Sequence, residues 1–376
     1  MNMMPLPHKK LLLLAIILIL VFLITSCVIV QPRPSSGQIP SSRETRSNQV
    51  DTLSQLRIEE PLPDNRFLVG EPVRFKARLT NDKSADTGQL SWRSSLDGNL
   101  GTGTQIQTDK LTAGTHEIVV SYGKSKGTVQ IRVFRDLWQL YQSAPSQDEI
   151  NQIQSDFTLN WIDGNKTDEK WMSYTSFKFD QKSADPSKII AIEKLDLLRH
   201  QKFSQPLPFT NGKSLYEHLQ NYVDRVNLSL GCNINTAGGK IVNLNRQFSI
   251  WDIRQSATAE KPDACKIPLT NPPVLNEYIN SLYLFIHEAR HCEPSDSGHV
   301  ECQGKDNMDT SLEPGSGHAR AVLYLMWVYK YGIYDPPSIK EQAKQIAMNI
   351  LKSRFCSTVK HNNPQVQAIL KELLGG

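Results

Sequence analysis

Strong charge of either sign is missing from this chain. Lys and Arg total 42 against 38 Asp and Glu, a net charge of +4 over 376 residues, and the pI is near 8.6. The basic residues are scattered, with no basic stripe interleaved with aromatics. Nucleic acid is therefore excluded as an expected partner, because phosphate binding needs clustered positive charge. No internal repeat is present, which removes array architectures. Cysteine is sparse, with six in the chain and none between positions 51 and 135. What remains is an ordinary globular composition, 39% hydrophobic and 21% charged, in a chain long enough for two or three domains and a sizeable core.

The N-terminus carries an address. His8, Lys9 and Lys10 precede an apolar run from Leu11 to Ile24, and Ile24-Thr25-Ser26-Cys27 follows. This order resembles a bacterial lipoprotein signal, cleaved before Cys27 and lipidated on it. A plain membrane anchor competes, because the apolar stretch runs on through Val28, Ile29 and Val30 and about twenty such residues span a bilayer. A cleaved secretory signal is the third reading. All three place the rest of the chain outside the cytoplasm, tethered to the membrane in the first two, and Lys9-Lys10 agrees with that orientation. Residues 1–27 are thus a signal or anchor. Residues 28–50, rich in Pro, Ser, Gln and Arg, read as a flexible linker.

From 51 to 135 the pattern is β. Val73, Phe75, Ala77 and Leu79 alternate with Arg74, Lys76 and Arg78; Ile118 and Val120, and Val129, Ile131 and Val133, repeat the period of two. Asp97-Gly98 and Gly101-Thr102-Gly103 supply turns. Short alternating strands at this spacing predict an all-β sandwich. The segment resembles bacterial surface Ig-like domains at Gly70-Glu71, Leu90-Ser91-Trp92, Ser95-Leu96-Asp97-Gly98 and Leu111 with Gly114-Thr115-His116. The antibody-type disulfide is absent. Trp92 is a core candidate, and His116 reads as a partly exposed strand residue.

From 136 to 376 the chain is mainly helical, an α+β pattern. Ser146 opens a short helix to Gln154. Phe157 to Ile162 reads as a strand. Helices are expected over Lys188–Arg199 and Lys213–Val226, and an extended stretch over Ile241–Ile253. Pro272-Pro273 opens a helix with Leu275, Ile279, Leu282, Phe285 and Ile286 on its apolar side. Further helices are expected from Ser316 to Tyr331, Ser338 to Phe355 and Pro364 to Leu374.

The helix that follows Pro272-Pro273 carries His287-Glu288-Ala289-Arg290-His291. Positions i and i+4 share a helix face, so both imidazoles can reach one Zn²⁺ and the Glu can reach its water. A catalytic zinc site takes a third protein ligand. His299 is the leading candidate, eight residues on in a turn-rich loop, with His318, Glu301 and Glu313 as alternatives. Asp296, Asp306 and Asp309 are available to orient the ligand imidazoles, Asp309 first among them. His318 is also placed to stabilise a developing oxyanion. Cys292 with Cys302 is the first expected disulfide and Cys232 with Cys265 the second.

The pentapeptide resembles the zincin superfamily of metallopeptidases. A looser likeness to secreted bacterial proteins rests on His299-Val300-Glu301-Cys302 and Gly315-Ser316-Gly317. The resemblance implies zinc-dependent hydrolysis of a peptide or protein substrate, with Glu288 catalytic and His287, His291 and His299 on Zn²⁺. The alternative is a non-catalytic cell-surface binding protein with a structural or vestigial metal site. In either case the β-module serves as a spacer or contacts cell-wall material or a surface protein.

Overall fold

A computed structural model describes residues 55–80, 90–162, 174–176, 186–229, 236–244, 275–302, 304–313, 315–356, 359 and 361–375. The signal, the linker and the pair Cys232–Cys265 lie outside the described residues. Eight strands come first, in two sheets. β1 (Gln55–Glu60), β3 (Val73–Thr80) and β6 (Gln105–Thr108) form one, in order β1-β3-β6. The other contains β2 (Arg66–Leu68), β4 (Ser91–Ser94), β5 (Gly98–Thr102), β7 (Gly114–Tyr122) and β8 (Ser125–Phe134), in order β2-β8-β7-β4-β5. The alternation in β3 works as expected: Val73, Phe75 and Ala77 are buried while Arg74 and Arg78 are exposed. Phe75 from one sheet meets Trp92 from the other at 5.5 Å between ring centroids. Leu56, Ile118, Val120, Val129 and Ile131 complete a core that both sheets share.

His116 departs from its expected exposure, because it is fully buried. Its Nδ1 lies 2.7 Å from Ser94 Oγ and its Nε2 2.7 Å from the Thr112 carbonyl. Both ring nitrogens are satisfied, which removes the penalty that burial otherwise imposes.

The helical half surrounds a second core. α1 (Leu137–Tyr141) and α2 (Gln147–Asp156) follow β8. Ser146 and Glu149 form a reciprocal capping box at the start of α2. A five-stranded sheet has the order β10-β9-β11-β13-β12, built from β9 (Thr158–Ile162), β10 (Tyr174–Ser176), β11 (Arg225–Ser229), β12 (Thr236–Gly238) and β13 (Ile241–Leu244). Its centre, β9-β11-β13, is parallel and its edges antiparallel. Asn160, Asn227 and Asn243 stand in register across that centre and bond in series at 3.0 and 2.7 Å. α3 (Pro186–His200), α4 (Leu215–Tyr222), α5 (Leu275–Arg290), α6 (Gly317–Tyr331), α7 (Pro337–Ser353) and α8 (Pro364–Leu374) supply the helices, and β14 (Val300–Cys302) pairs with β15 (Lys305–Met308) between α5 and α6. Among the described residues no helix is long and apolar enough to cross a membrane.

The helix expected over Lys213–Val226 is shorter than its apolar spacing suggested. α4 stops at Tyr222, Val223 is already extended (φ −119°, ψ 112°), and Val226 pairs with Val242 and Leu159 in the sheet. Apolar residues at helical spacing were satisfied by two elements in turn, and β-branched Val suits the second.

One buried ion network ties the two halves, which belong to one compact unit from Thr52 to Gly376. Arg66, 2% exposed, donates Nε to Glu149 Oε2 at 2.7 Å and its backbone N–H to Glu149 Oε1 at 3.0 Å. It also pairs with Asp196 of α3. Glu149 therefore caps α2 and anchors β2 with one carboxylate.

Asp335, between α6 and α7, is buried with Oδ2 accepting from Gln201 Nε2 at 2.6 Å and Oδ1 unpartnered. Burial pushes its pKa up to about 7 against the opposing pull of Gln201 and Lys340. The folded chain thus keeps a proton that the unfolded chain releases near pH 4. Its contribution to stability is full at low pH and falls as pH rises from about 4 to about 7. Asp335→Asn is expected to gain on the order of 4 kcal/mol over wild type at pH 8 and about 1 kcal/mol at pH 4.5, read by urea unfolding at both values. An equal difference at the two pH values contradicts this.

Candidate metal centre

Four histidines converge where α5 meets the start of α6. The last turn of α5 carries His287, and His291 follows in the turn just past the helix end, its N–H bonded to Glu288 O at 3.0 Å, so the i, i+4 spacing still sets the two rings near one another. The loop after α5 turns back at Gly298 (φ 65°) and brings in His299. His299 Nε2 lies 3.1 Å from His291 Nε2 and 3.2 Å from His287 Nε2. His318, in the first turn of α6, stands 4.5 Å from His287 and 4.6 Å from His299 between ring centroids. Ligand atoms of His287, His299 and His318 all lie within 4.8 Å of one another. His299 is common to that set and to the His291 contact, so it is the hub.

Two carboxylates set the ring tautomers. His291 Nδ1 donates to Asp296 Oδ2 at 2.9 Å, and His299 Nδ1 to Asp309 Oδ1 at 2.9 Å. As neutral rings with Nδ1 so engaged, each presents an acceptor Nε2. Two such lone pairs 3.1 Å apart repel unless a cation lies between them. A single shared proton serves one of the His299 contacts, not both. Nitrogens about 2.0–2.1 Å from one tetrahedral ion stand about 3.3 Å apart, close to both observed separations. On these two edges the donors fit a metal ion that takes imidazole, while the set whose ligand atoms all lie within 4.8 Å of one another is His287, His299 and His318, which His291 joins through His299.

Asp309 is itself fixed. Burial works to raise its pKa, but hydrogen bonds from His299, Ser316 and the Ala319 N–H outweigh burial and hold it low. Ser316 is the N-cap of α6 yet makes no side-chain cap bond. Its hydroxyl donates to Asp309 Oδ1 instead, and Asp309 Oδ2 accepts from Ala319 N at 2.8 Å. Asp309 thereby caps α6 and orients His299 together, using the positive end of the helix. Its backbone is clamped by Arg354 and Cys356, with Asp309 N to Arg354 O at 2.8 Å and Cys356 N to Asp309 O at 2.9 Å.

The disulfide lies elsewhere than expected. Cys302 bonds Cys356 across 54 residues, with Cα atoms 5.9 Å apart, and Cys292 is free. Cys292 follows α5 and its Sγ faces the Ile241 carbonyl at 3.7 Å. β14 instead carries Cys302 toward the segment after α7, where Phe355 bridges Asp309. The bridge therefore staples the strand pair between His299 and Asp309 to the end of α7.

Glu288 is 5% exposed; its carbonyl accepts from His291 N at 3.0 Å, and its carboxylate makes no hydrogen bond among the described residues. Its Oε1 stands 4.0 Å from His287 Nε2. Burial pushes its pKa up to about 8. His287 is driven well below its ordinary range by burial and by the other three histidines, so it is a neutral ring. His318 is pushed down to about 4, chiefly by burial.

Of the remaining candidates, Glu313 turns away, 3.1 Å from His361 Nε2 with its side chain 44% exposed. Glu301 is exposed in β14, and Asp306 is exposed in β15. His318 does not suit an oxyanion donor, because its Nε2–H is spent on the Asn307 carbonyl at 3.1 Å and its Nδ1 is left as an acceptor. Sequence reasoning missed Ser316 and Gly317. A Cβ on Gly317 would fall 2.7 Å from Cδ2 and Nε2 of His287. The signal was present in Gly315-Ser316-Gly317, small residues where a helix must approach a packed ring.

No family model and no curated protein matches this chain. Among solved structures, it is similar to domains 4 and 5 of the S-layer protein SbsC, at 15% identity and a TM-score of 0.17, over 21% of this chain and 51% of that one. It is also similar to the PKD domain of human KIAA0319, at 16% identity and a TM-score of 0.18, over 25% of this chain and 93% of that one. The chain thus spans about half the length of the S-layer fragment.

Proposed function

We propose that this chain is a zinc-dependent hydrolase, a peptidase of the zincin type comprising residues 136–376, carried behind an Ig-like module at 51–135. The single observation that carries this reading is the approach of His299 Nε2 to His291 and His287 at 3.1 and 3.2 Å, with Asp296 and Asp309 behind two of the rings. His287, His291 and His299 are the proposed ligands. A bound Zn²⁺ supplies Lewis acidity and a water whose pKa falls toward 7. Glu288 is the proton carrier. Burial alone raises its pKa to about 8, and a cation held by the neighbouring histidines would favour the carboxylate, which would take a proton from the attacking water and deliver it to the leaving amine. Among the described residues no hydrogen bond ties up that carboxylate.

An extracytoplasmic place is supported by the disulfide Cys302–Cys356, since such bonds persist in oxidising compartments. Tethering by a lipidated Cys27 or by an N-terminal anchor is part of the proposal. The partners are a peptide or protein substrate and the membrane, not nucleic acid. The β-module is proposed as a spacer or a contact for cell-wall material.

A second reading is favoured by one observation. His318 stands within ligand distance of His287 and His299 with a free acceptor nitrogen. As a fourth ligand it would close the site and make it structural. His318→Ala separates the two. On the hydrolase reading the variant keeps one zinc per chain, and turnover of a casein-like substrate falls about tenfold or more, because an acceptor beside the attacking water is lost. Loss of the zinc in a folded His318→Ala chain favours the closed site.

A further inference from the structure

A cavity of about 130 Å³ lies between α5, α6 and the loops that carry Phe209 and Leu312. None of the four converging histidines lines it. We propose that it binds a carboxylate carried on a short apolar stem, and that Arg320 receives that carboxylate.

Two guanidinium groups line the cavity, and their hydrogen bonds differ. Every nitrogen of the Arg290 guanidinium is engaged, with four of its five N–H groups bonded. Its Nε donates to Gly315 O at 2.9 Å, Nη1 to Glu293 Oε2 and Ser295 Oγ at 2.8 and 2.9 Å, and Nη2 to Ser295 O at 2.5 Å. Arg290 is a structural brace. Arg320 gives only Nη2, to Glu293 Oε2 at 2.5 Å. Its Nε and Nη1 make no hydrogen bond among the described residues, although the side chain is only 12% exposed. The guanidinium plane is held by Phe209, with Cζ 4.1 Å from the ring centroid. A planar fork with free donors, stacked on one face and largely dry, matches a carboxylate.

Glu293 is the acidic group both arginines share, and it also faces His218 Nε2 at 3.1 Å. Arg290 has a second carboxylate, Asp296 Oδ1 at 4.0 Å from its Nε, so Arg320 is the guanidinium left with the shared partner alone. Glu313 also lines the cavity, but it is held by His361 Nε2 at 3.1 Å and by Asn362 N at 3.3 Å. Pro208, Phe209, Leu312 and Leu323 form the apolar remainder. That lining and the small volume suit a carboxylate on a few carbons and do not suit phosphate, which needs several donors around it. α5 and α6 carry both this cavity and the histidines. On the hydrolase reading it is therefore a substrate subsite, for an acidic side chain or for a peptide's C-terminus, but the cavity stands without that reading.

The test uses the full chain, stripped of metal so that no carboxylate is captured by zinc. Calorimetry measures N-acetyl-leucine against its amide, and N-acetyl-aspartate amide against N-acetyl-asparagine amide. At least one carboxylate is expected to bind about tenfold or more tightly than its neutral counterpart. The stronger pair identifies the source, chain end or acidic side chain. The preference is expected to vanish in Arg320→Met and to persist in part in Arg320→Lys. Equal binding of carboxylates and amides by the wild type overturns the proposal without any variant. So does a preference that survives in folded Arg320→Met. Because zinc is absent throughout, failure of the hydrolase reading leaves this outcome unaffected.

Discussion

Glu288→Gln is expected to bind one zinc per chain, the stoichiometry expected of wild type, and to lose about 10³-fold in kcat on a casein-like substrate. The residue stands on α5 next to His287, yet among the described residues its carboxylate makes no hydrogen bond, and its Oε1 is 4.0 Å from His287 Nε2. It holds up nothing in the fold, so the amide should be tolerated. The amide cannot carry a proton between water and leaving group, which is the whole of its proposed task. Zinc content by atomic absorption and turnover on one preparation read both halves of the expectation. Undiminished cleavage rules out the proposed role, and lost zinc makes Glu288 a structural support of the centre.

Gly317→Ala is expected to weaken zinc binding by about 10–100-fold, the scale of losing an orienting partner of a ligand. The new Cβ would meet His287 at 2.7 Å from Cδ2 and Nε2 and 2.8 Å from Cε1. The ring cannot yield easily. Its helix is packed through Ile279, Leu282, Phe285 and Ile286, all at most 1% exposed, and close-packed cores transmit such a displacement. The fold is expected to survive, because Gly317 lies in the first turn of α6, where Ala is a better helix former. A competition titration against a zinc chelator measures the loss. Unchanged affinity places His287 outside the ligand set.

The helices were legible where one face is apolar over several turns. Pro364–Leu374 coincides with its expected limits, and α6 and α7 differ by two residues or fewer at each end. The strands of the first half were legible because period two with one buried face is hard to mistake. Val223 and Val226 deceived, since Leu215, Leu219, Val223 and Val226 at helical spacing cannot say that a strand takes over partway. The i, i+4 histidines were legible because the spacing alone puts both rings on one face. His299 was brought to them by the fold, as its loop position and the turn at Gly298 allowed, and Asp309 proved to be the group behind it. The disulfide was illegible. Cys292 and Cys302 are close in sequence, but the direction of β14 and the Phe355–Asp309 bridge are long-range facts. The partnership of His116 with Ser94 and Thr112 is long-range in the same sense, and so is Arg320 with its free donors.

The central claim is that three histidines, completed by His299, hold one metal ion. The direct measurement is zinc stoichiometry, by atomic absorption after dialysis, for wild type, His287→Ala and His299→Ala. One zinc per chain is expected in wild type and near none in either variant, with both variants still folded. No zinc in wild type, or full zinc in His299→Ala, contradicts it.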